Sequence, residues 1–384
     1  MDYLLNEQQV MIRDLARQIA REKIKPVAAE YDEKEEFPWP IVKILSDADL
    51  FGVYIEEKYG GTGGQGLELA LCVEELSRAC GGISLCLAAT ALGTYPIILF
   101  GSEGQKQKYL PDLAKGKKLG AFAITEPEAG SDAGSIKTTA RKDGDYYILN
   151  GTKQWITNGG EAETYSVIAI TDKAKGARGA SAFIVEKGTK GFNFGKKEKK
   201  LGIRASATRE LVFEDCRVPK ENLLGKEGMG FIVAMKTFDK SRPGVAAQAL
   251  GIAQGALDLA VNYARSRRQF GQPISSFQGI QFMLADMATE IEAARALIYA
   301  ACRAIDAGSK DIARISAMSK LFASDVAMKV TTNAVQIFGG YGYMRDYPIE
   351  KFMRDAKITQ IYEGTNQIQR DVIARTLIKE AASK

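Results

Sequence analysis

DYYILNGTKQWITN, residues 145–158, is strand-like in a chain whose two ends look helical. Two runs rich in aromatic and β-branched residues flank Asn150-Gly151, a dipeptide that favours a two-residue hairpin turn. We therefore predict a β-hairpin here. The runs SVIAIT (166–171), SAFIVE (181–186) and ELVFED (210–215) follow at strand-like spacing, so the middle of the chain is predicted to be a β-domain.

Helical patterns surround this β-domain on both sides. Near the start, Asn6 with Gln9 fits an N-terminal helix cap. After the β-domain, residues 277–307 and 311–338 predict two long helices that are joined by a short Gly-Ser turn and end at Gly339-Gly340. The predicted fold is α+β, with an N-terminal α-helical domain (1–120), a middle β-barrel or sandwich domain (121–230) and a C-terminal four-helix bundle (231–384).

The composition is that of a globular protein. The chain has 384 residues, 46% hydrophobic and 26% charged, which is enough for two or three domains with large cores. Its net charge of +5 gives no strong case for nucleic-acid binding. Five cysteines without a CxxC pair indicate neither a zinc site nor a disulfide framework, so we expect no metal and a reducing, cytoplasmic compartment. The N-terminus lacks the pattern of a signal or transit peptide.

One uncharged run, ISLCLAATALGTYPIILF (83–100), has about the minimum length for a membrane span. Polar and turn-favouring residues, among them Gly93, Thr94 and Pro96, interrupt it. We therefore predict a buried helix that ends near Pro96, and no membrane partner.

Two further motifs carry simple structural interpretations. GTGGQG (61–66) fits the G-x-G-x-x-G dinucleotide pattern, but no acidic residue follows about 20 positions later and no parallel strand is predicted beside it. We predict a glycine loop that caps a helix beginning near Leu67. KKEKK (196–200) is predicted to be a solvated turn between strands.

The β-domain contains two candidate ligand segments. In FAITEPEAGSDAG (122–134), small residues would let the backbone approach a flat or phosphorylated ligand, and Thr125 and Ser131 supply hydroxyls. In Trp155-Ile156-Thr157, strand alternation would place an indole and a hydroxyl on one face. A polar turn and ordinary packing of the tryptophan are the alternative interpretations, and the residues alone leave them open.

Six spaced segments together resemble the flavin-dependent acyl-CoA dehydrogenase family. They are ITEPEAGSD (124–132), WITNGG (155–160), FDKSRP (238–243), RRQFGQPI (267–274), QIFGGYGY (336–343) and IYEGTNQIQR (361–370). The resemblance covers nearly the whole chain, and the residues of these motifs are most similar to those of short-chain, butyryl-type members. The family's fold is also the α-β-α arrangement predicted above.

The resemblance implies FAD as the cofactor and assigns roles to residues of this chain. FAD contacts would come from Phe122, Ile124, Thr125, Gly130, Ser131, Trp155, Ile156, Thr157, Thr365, Asn366 and Gln367. Arg267, Phe270 and Gln278 would reach the FAD of a neighbouring subunit, while Gln336, Ile337, Phe338, Gly339 and Gly340 would lie beside its phosphate and adenosine side. Acyl-CoA would contact Ser131, Asp239, Lys240, Ser241, Arg242, Gly364 and Arg375. Contacts across subunits imply an oligomer, and the family is typically homotetrameric.

The reaction implied by the resemblance gives Glu363 a role. Removing hydrogens from Cα and Cβ of a thioester needs a base and a hydride acceptor. The chain has no histidine, which leaves a carboxylate, lysine, tyrosine or cysteine as the base. The resemblance implies Glu363 as that base, its backbone N–H with a flavin hydroxyl as the oxyanion site, FAD N5 as hydride acceptor and trans-2-enoyl-CoA as product. Some family members carry the glutamate near the position of Gly251, which cannot act as a base.

Partner and substrate follow from the same resemblance. Electron-transfer flavoprotein would take the electrons, and the small side chains of residues 83–100 favour a short, branched or compact cyclic acyl group. Two alternatives stay open. An acyl-CoA oxidase-like enzyme usually has an additional C-terminal helical domain that is not seen here, and a non-catalytic flavin or acyl-CoA binding protein would not need Glu363.

Overall fold

A computed structural model describes residues 3–382 of the chain, and its N-terminal part is helical. The helices are α1 (Glu7–Ile19), α2 (Ala28–Lys34), α3 (Trp39–Asp47), α4 (Gly66–Ala79), α5 (Leu85–Phe100) and α6 (Glu103–Ala114). The predicted cap of α1 is confirmed, because the Asn6 side chain accepts from the Gln9 N–H at 2.8 Å and the Gln9 side chain accepts from the Asn6 N–H at 3.1 Å. These two bonds satisfy backbone donors that a helix start leaves unpaired.

The middle of the chain forms one eight-stranded sheet. Its strands are β1 (Gly120–Ala123), β2 (Thr139–Asp143), β3 (Tyr146–Thr157), β4 (Thr164–Ile170), β5 (Ala180–Glu186), β6 (Phe192–Lys197), β7 (Thr208–Pro219) and β8 (Leu223–Leu224). The order is β6-β7-β3-β2-β4-β5-β8, and β1 pairs in parallel with β4. Every residue of β4 is buried, as expected for a strand covered on both faces.

The hairpin predicted at Asn150-Gly151 is wrong. Both residues lie inside β3, where the pairing with β7 shifts between Leu149 and Gly151. The turn occurs earlier, at Gly144 between β2 and β3, where φ is +60°. Asn150 instead bonds Asp215 on β7, and a Cβ on Gly151 would lie 2.6 Å from the Thr138 hydroxyl. The Asn-Gly pair therefore serves a β-bulge with close backbone approach.

The C-terminal part is again helical. It contains α7 (Gly230–Ser266), the short strands β9 (Arg268–Gln269) and β10 (Gln272–Pro273), α8 (Gln278–Asp306), α9 (Ile312–Phe338), α10 (Ile349–Ile358) and α11 (Asn366–Ala382). α7 packs against α8, α9 and α4, and α11 packs on α9. The predicted α+β class is confirmed, whereas the domain limits 1–120, 121–230 and 231–384 stay a prediction.

A glycine of α7 allows a close crossing with α4. A Cβ on Gly251 would lie 2.1 Å from the Glu74 carbonyl of α4, so no side chain fits at that crossing.

The loop before α4 caps that helix as predicted, since the Gln65 N–H donates to Glu68 at 2.7 Å. Asp306 then accepts from the N–H groups of Gly66 and Leu67, which attaches the start of α4 to the end of α8.

The apolar run at residues 83–100 is a buried helix, but its predicted end is wrong. α5 continues through Pro96 to Phe100 because tertiary packing of its flanking residues, with Tyr95 and Ile97 buried, outweighs the lost hydrogen bond. Among the described residues, α7 is the one helix whose length and composition would suit a membrane span, and 72% of its apolar stretch is buried. A core helix meets the same criteria, so this is weak evidence for a span.

The predicted solvated turn at KKEKK is wrong for its last lysine. Lys197 ends β6, but Lys200 is half-buried and its ammonium donates to the Ser206 carbonyl at 2.8 Å. Burial lowers the pKa of Lys200 to about 8. Only Lys200 therefore turns inward, whereas Lys196, Lys197 and Lys199 are exposed to solvent.

Candidate active site

The centre of the site is a tight turn that carries Glu363 between α10 and α11. Glu363 has φ +51° and Gly364 has φ +90°, so two successive residues are left-handed. Such a backbone costs a non-glycine residue on the order of 1 kcal/mol and persists only when surrounding contacts over-determine it. Gly364 cannot be replaced freely, since a Cβ there would lie 2.7 Å from the Gln369 amide nitrogen.

Two buried side chains supply the contacts that hold this turn. The Gln369 amide donates to the carbonyls of Glu363 at 3.1 Å and Gly364 at 2.8 Å. Lys320 of α9 donates to the same Gly364 carbonyl at 2.8 Å and to the Asn366 side chain at 2.9 Å. The turn is therefore attached to both α9 and α11, which fixes the direction of Glu363.

The Glu363 carboxylate lies among polar and charged groups of α7. The Ser241 hydroxyl donates to it, and Arg242, only 4% exposed, pairs with Asp239 at 3.4 Å. Burial raises the pKa of Glu363, although the Ser241 hydrogen bond and the charges of Arg242 and Lys320 act in the opposite direction. The net shift is upward, so the ionised carboxylate is a stronger base than a solvated glutamate.

The raised pKa of Glu363 predicts the acid limb of the pH–rate profile. A protonated carboxylate cannot accept a proton. If Glu363 is the base that the family resemblance implies, kcat should fall as pH drops through a pKa above the ordinary glutamate value of about 4.3. The measurement is kcat against pH for the FAD-loaded enzyme, with flavin fluorescence recorded to exclude acid unfolding. A kcat that stays flat down to that value would contradict the assignment.

Segment 238–242 of α7 joins the carboxylate to the sheet. The Phe238 ring meets Phe122 of β1 edge-on at 5.5 Å, and the Arg242 guanidinium lies 5.9 Å from the Phe238 ring centre. Ser241 and Arg242 lie beside Glu363, and Asp239 reaches the site only through its pair with Arg242. Two other residues predicted to bind substrate are engaged elsewhere: Lys240 lies 3.8 Å from Asp306, and exposed Arg375 pairs with Asp371 on α11 at 2.8 Å.

The two ligand segments of the β-domain are neighbours. The Gln154 N–H donates to the Thr125 carbonyl at 2.8 Å, which places the strand with Trp155 and Thr157 beside the end of β1. A bulge between Lys153 and Ile156 gives Trp155 a φ of +56° and leaves its indole 55% exposed. The expected simple strand alternation is therefore interrupted just before Ile156.

These residues fit a flat, aromatic cofactor such as FAD. An isoalloxazine needs an open aromatic or apolar surface and polar groups at its edge. Trp155 and Thr157 on β3 and Thr125 in the loop after β1 supply both. A Cβ on Gly130 would meet no atom within 4 Å, and Ser131 is exposed, so this loop is open for a ligand. The side chains of Phe122, Ile124 and Ile156 are buried in the core, which leaves their backbones for any cofactor contact.

The remaining predicted cofactor residues lie near the ends of α7, α8, α9 and α11 and in the turn between β9 and β10. Gln336, Gly339, Gly340, Gln278, Gln367 and Phe270 are exposed, Phe270 at 91%, whereas Arg267 and Thr365 are half-buried. The Arg267 guanidinium lies 5.2 Å from the Tyr341 ring centre. Ile337 and Phe338 are buried, and Phe338 stacks on Tyr263 at 4.0 Å. Asn366 is buried and bonds Ser324 and Asp325 of α9.

Family models match almost the whole chain in three parts. They are the N-terminal (residues 6–117), middle (121–216) and C-terminal (228–378) domains of acyl-CoA dehydrogenase. The chain belongs to the acyl-CoA dehydrogenase family. It is an FAD-dependent oxidoreductase, and the predicted resemblance is confirmed.

Relatives of this acyl-CoA dehydrogenase match it in sequence and structure over nearly the full length of both chains. The short-chain-specific acyl-CoA dehydrogenase of Clostridium acetobutylicum is 51% identical over 99% of this chain and 100% of its own. The butyryl-CoA dehydrogenase structure from Megasphaera elsdenii has a TM-score of 0.96 at 51% identity, covering 98% of this chain and 100% of that one.

Two further solved structures bear on cofactor and partner. A chain in the structure of the electron transferring flavoprotein of Acidaminococcus fermentans is 55% identical with a TM-score of 0.96, covering 98% of this chain and 99% of that one. An acyl-CoA dehydrogenase from Bacillus anthracis, complexed with FAD, has a TM-score of 0.93 at 38% identity, covering 99% of this chain and 68% of that one.

Sequence reasoning missed several groups that build this acyl-CoA dehydrogenase site. Lys320 and Gln369 hold the Glu363 turn, and Lys153 forms a buried ion pair with Glu126 at 2.7 Å beneath the segment 122–131. A signal for Lys320 was present, because it stands three residues after Ala317 and four before Ser324, on the face that α9 buries. A lysine in a row of small buried residues is a candidate for an internal role.

Proposed function

We propose that this acyl-CoA dehydrogenase converts an acyl-CoA thioester to the trans-2-enoyl-CoA, with Glu363 as the base that removes the α-proton. The observation that carries this proposal is the geometry of the Glu363 turn. Its carboxylate is half-buried beside Ser241 and Arg242, its pKa is raised, and its backbone is held from two helices.

In the proposed reaction, a Glu363 carboxylate oxygen accepts the proton from Cα. Negative charge then develops on the thioester oxygen, and the Glu363 backbone N–H is proposed to donate to it. The anchored turn keeps that N–H in one direction, and Gly364 lets the thioester lie close to the backbone. FAD, when bound, supplies the acceptor at N5 for the β-hydrogen, which leaves as hydride.

We assign the cofactor and the acyl-CoA to groups of residues as follows. Thr125 and Thr157 would hydrogen-bond the isoalloxazine, and Trp155 would cover it. The open loop at Gly130 and Ser131 would contact the FAD, and Ser131 would also contact the acyl-CoA. Asp239, Ser241 and Arg242 would face the acyl-CoA. Exposed Phe270 and Gln278, with Arg267, would reach the FAD of a second copy of the chain, as would Gln336, Gly339 and Gly340, so we propose a homotetramer.

A short acyl group is supported by two of the relatives. The relative from Clostridium acetobutylicum is a short-chain-specific acyl-CoA dehydrogenase, and the structure from Megasphaera elsdenii is a butyryl-CoA dehydrogenase, each at 51% identity to this chain. We infer the same preference here, for a butyryl-sized, branched or compact cyclic acyl group.

The proposed electron acceptor is electron-transfer flavoprotein. Its support is the 55% identity to a chain in the structure of such a flavoprotein. We also propose a cytoplasmic location, because all five cysteines are buried and unpaired, as in proteins of reducing compartments.

Anaerobic flavin bleaching with a panel of CoA esters tests this function. We expect purified protein to be yellow, and butyryl-CoA to bleach the flavin faster than octanoyl-CoA, with branched and cyclohexane-carbonyl esters compared alongside. Protein that cannot be reconstituted with FAD would contradict the whole proposal. Admitting air after bleaching separates the alternative, because rapid reoxidation by oxygen would indicate an oxidase.

A further inference from the structure

Lys320 is a fully buried lysine that no proposed chemical step uses. It lies in the middle of α9 at 0% exposure, where desolvation of an ammonium is costly. Its two hydrogen-bond partners are the neutral Gly364 carbonyl and the neutral Asn366 side chain. A lysine is rarely buried fully unless it is paired. The contacts of Lys320 therefore indicate a role at the residues that it binds.

The hydrogen bonds of Lys320 are made to the left-handed turn at Glu363 and Gly364 and to the residue that begins α11. The Gly364 carbonyl receives two donors, Lys320 Nζ and Gln369 Nε2, each at 2.8 Å. Glu363 and Gly364 are both left-handed, so the turn needs external contacts to keep its shape. Asn366, the second acceptor of Lys320, also bonds Ser324, which ties the first residue of α11 to α9.

The charge of Lys320 is also close enough to affect the carboxylate. The charged groups that face Lys320 are Glu363 and Asp325, which raise its pKa, and Arg242, which lowers it. Burial is the largest effect and brings the pKa of Lys320 to about 7. Below that pH the ammonium is charged, and its charge lowers the pKa of Glu363. The acid limb of kcat, set by the Glu363 carboxylate, should therefore depend on the charge of Lys320.

We propose that Lys320 is a positioning residue of the dehydrogenation: through the Gly364 carbonyl it fixes the Glu363 turn, and its charge favours the ionised carboxylate. This inference rests on the proposed role of Glu363. Gln369 shares the first role, because it donates to the same carbonyl, but as a neutral amide it cannot share the second.

The difference between these two donors supplies a matched experiment. Lys320→Met and Gln369→Leu each remove one donor to the Gly364 carbonyl, and only the first removes a charge. We expect kcat to fall by about 100-fold in Lys320→Met and about 10-fold in Gln369→Leu, with KM for butyryl-CoA changed far less. Only Lys320→Met should move the acid limb to higher pH, because the ionised carboxylate loses a nearby cation.

FAD content and melting temperature show whether each variant is folded. A Lys320→Met enzyme with normal kcat and an unmoved acid limb overturns the proposal, as does a Gln369→Leu enzyme that moves the limb equally. A third result would also overturn the proposal: Lys320→Met protein that fails to bind FAD, together with a Gln369→Leu enzyme of normal kcat. In that case Lys320 would be needed for folding and not for positioning Glu363. Glu363→Gln, run in parallel, reports on the base itself, so failure of the proposed function is seen separately.

Discussion

Glu363→Gln is expected to abolish turnover while the protein keeps its bound FAD and its yellow colour. The amide has the shape of the carboxylate and can still accept from the Ser241 hydroxyl, but it cannot take up the α-proton. Loss of a general base lowers kcat by about 100-fold to 10,000-fold, and we expect the upper part of that range. The measurement is the rate of anaerobic flavin bleaching by butyryl-CoA.

Glu30→Gln is the matched control for this substitution. Glu30 is an exposed glutamate of α2 that pairs with Lys34 at 2.6 Å, so the same chemical change should leave kcat unaltered. Near-normal bleaching by Glu363→Gln would place the base elsewhere in the site. Loss of FAD from Glu363→Gln would instead show that the turn also supports cofactor binding.

Lys153→Met is expected to lower the free energy of unfolding by about 3–5 kcal/mol, the usual cost of breaking a buried ion pair from one side. Lys153 is fully buried and donates to Glu126 at 2.7 Å and to the Ile124 carbonyl at 3.0 Å. Its removal leaves the buried Glu126 carboxylate without its cation. Because Ile124 lies in the proposed FAD segment, we also expect weaker FAD retention. Urea unfolding and the flavin-to-protein absorbance ratio measure the two effects.

An exposed lysine in the same region provides the comparison. Lys137 pairs with Glu128, and both side chains are more than two-thirds exposed, at 73% and 71%. Surface pairs contribute about 0–1 kcal/mol, so Lys137→Met should change the free energy of unfolding by no more than that. If Lys153→Met and Lys137→Met lowered the free energy of unfolding equally, burial would not be the reason that the Lys153 pair stabilises the fold.

The order of domains could be predicted from the sequence because helix and strand periods differ and are local properties. The hairpin at Asn150-Gly151 could not, since the same dipeptide suits a turn and a bulge, and pairing with β7 decides between them. The end of α5 was misplaced for a similar reason: proline has a local cost, and core packing around Tyr95 and Ile97 outweighs it.

At the site, the family resemblance pointed to Glu363 and its neighbours, but no local pattern gave the support beneath them. Lys320 contacts the turn across 44 residues of sequence, and such distant pairs leave no local trace. Asn366 shows the converse situation. The cofactor contact implied by its place in EGTN stays a prediction, and because its side chain bonds α9, only its backbone is left to make that contact.

The length of α7 sets a constraint on how this enzyme can evolve. One helix carries Ser241 beside the base and ends at Arg267, the residue proposed to serve a second copy of the chain. At 1.5 Å per residue the two positions are about 39 Å apart. Deleting one residue between them would rotate everything beyond it by about 100°, turning Arg267 away from its proposed ligand. If Arg267 has that proposed role, α7 is a spacer of fixed length between the proposed base and the site of a second copy, and insertions in it should be tolerated far less readily than substitutions.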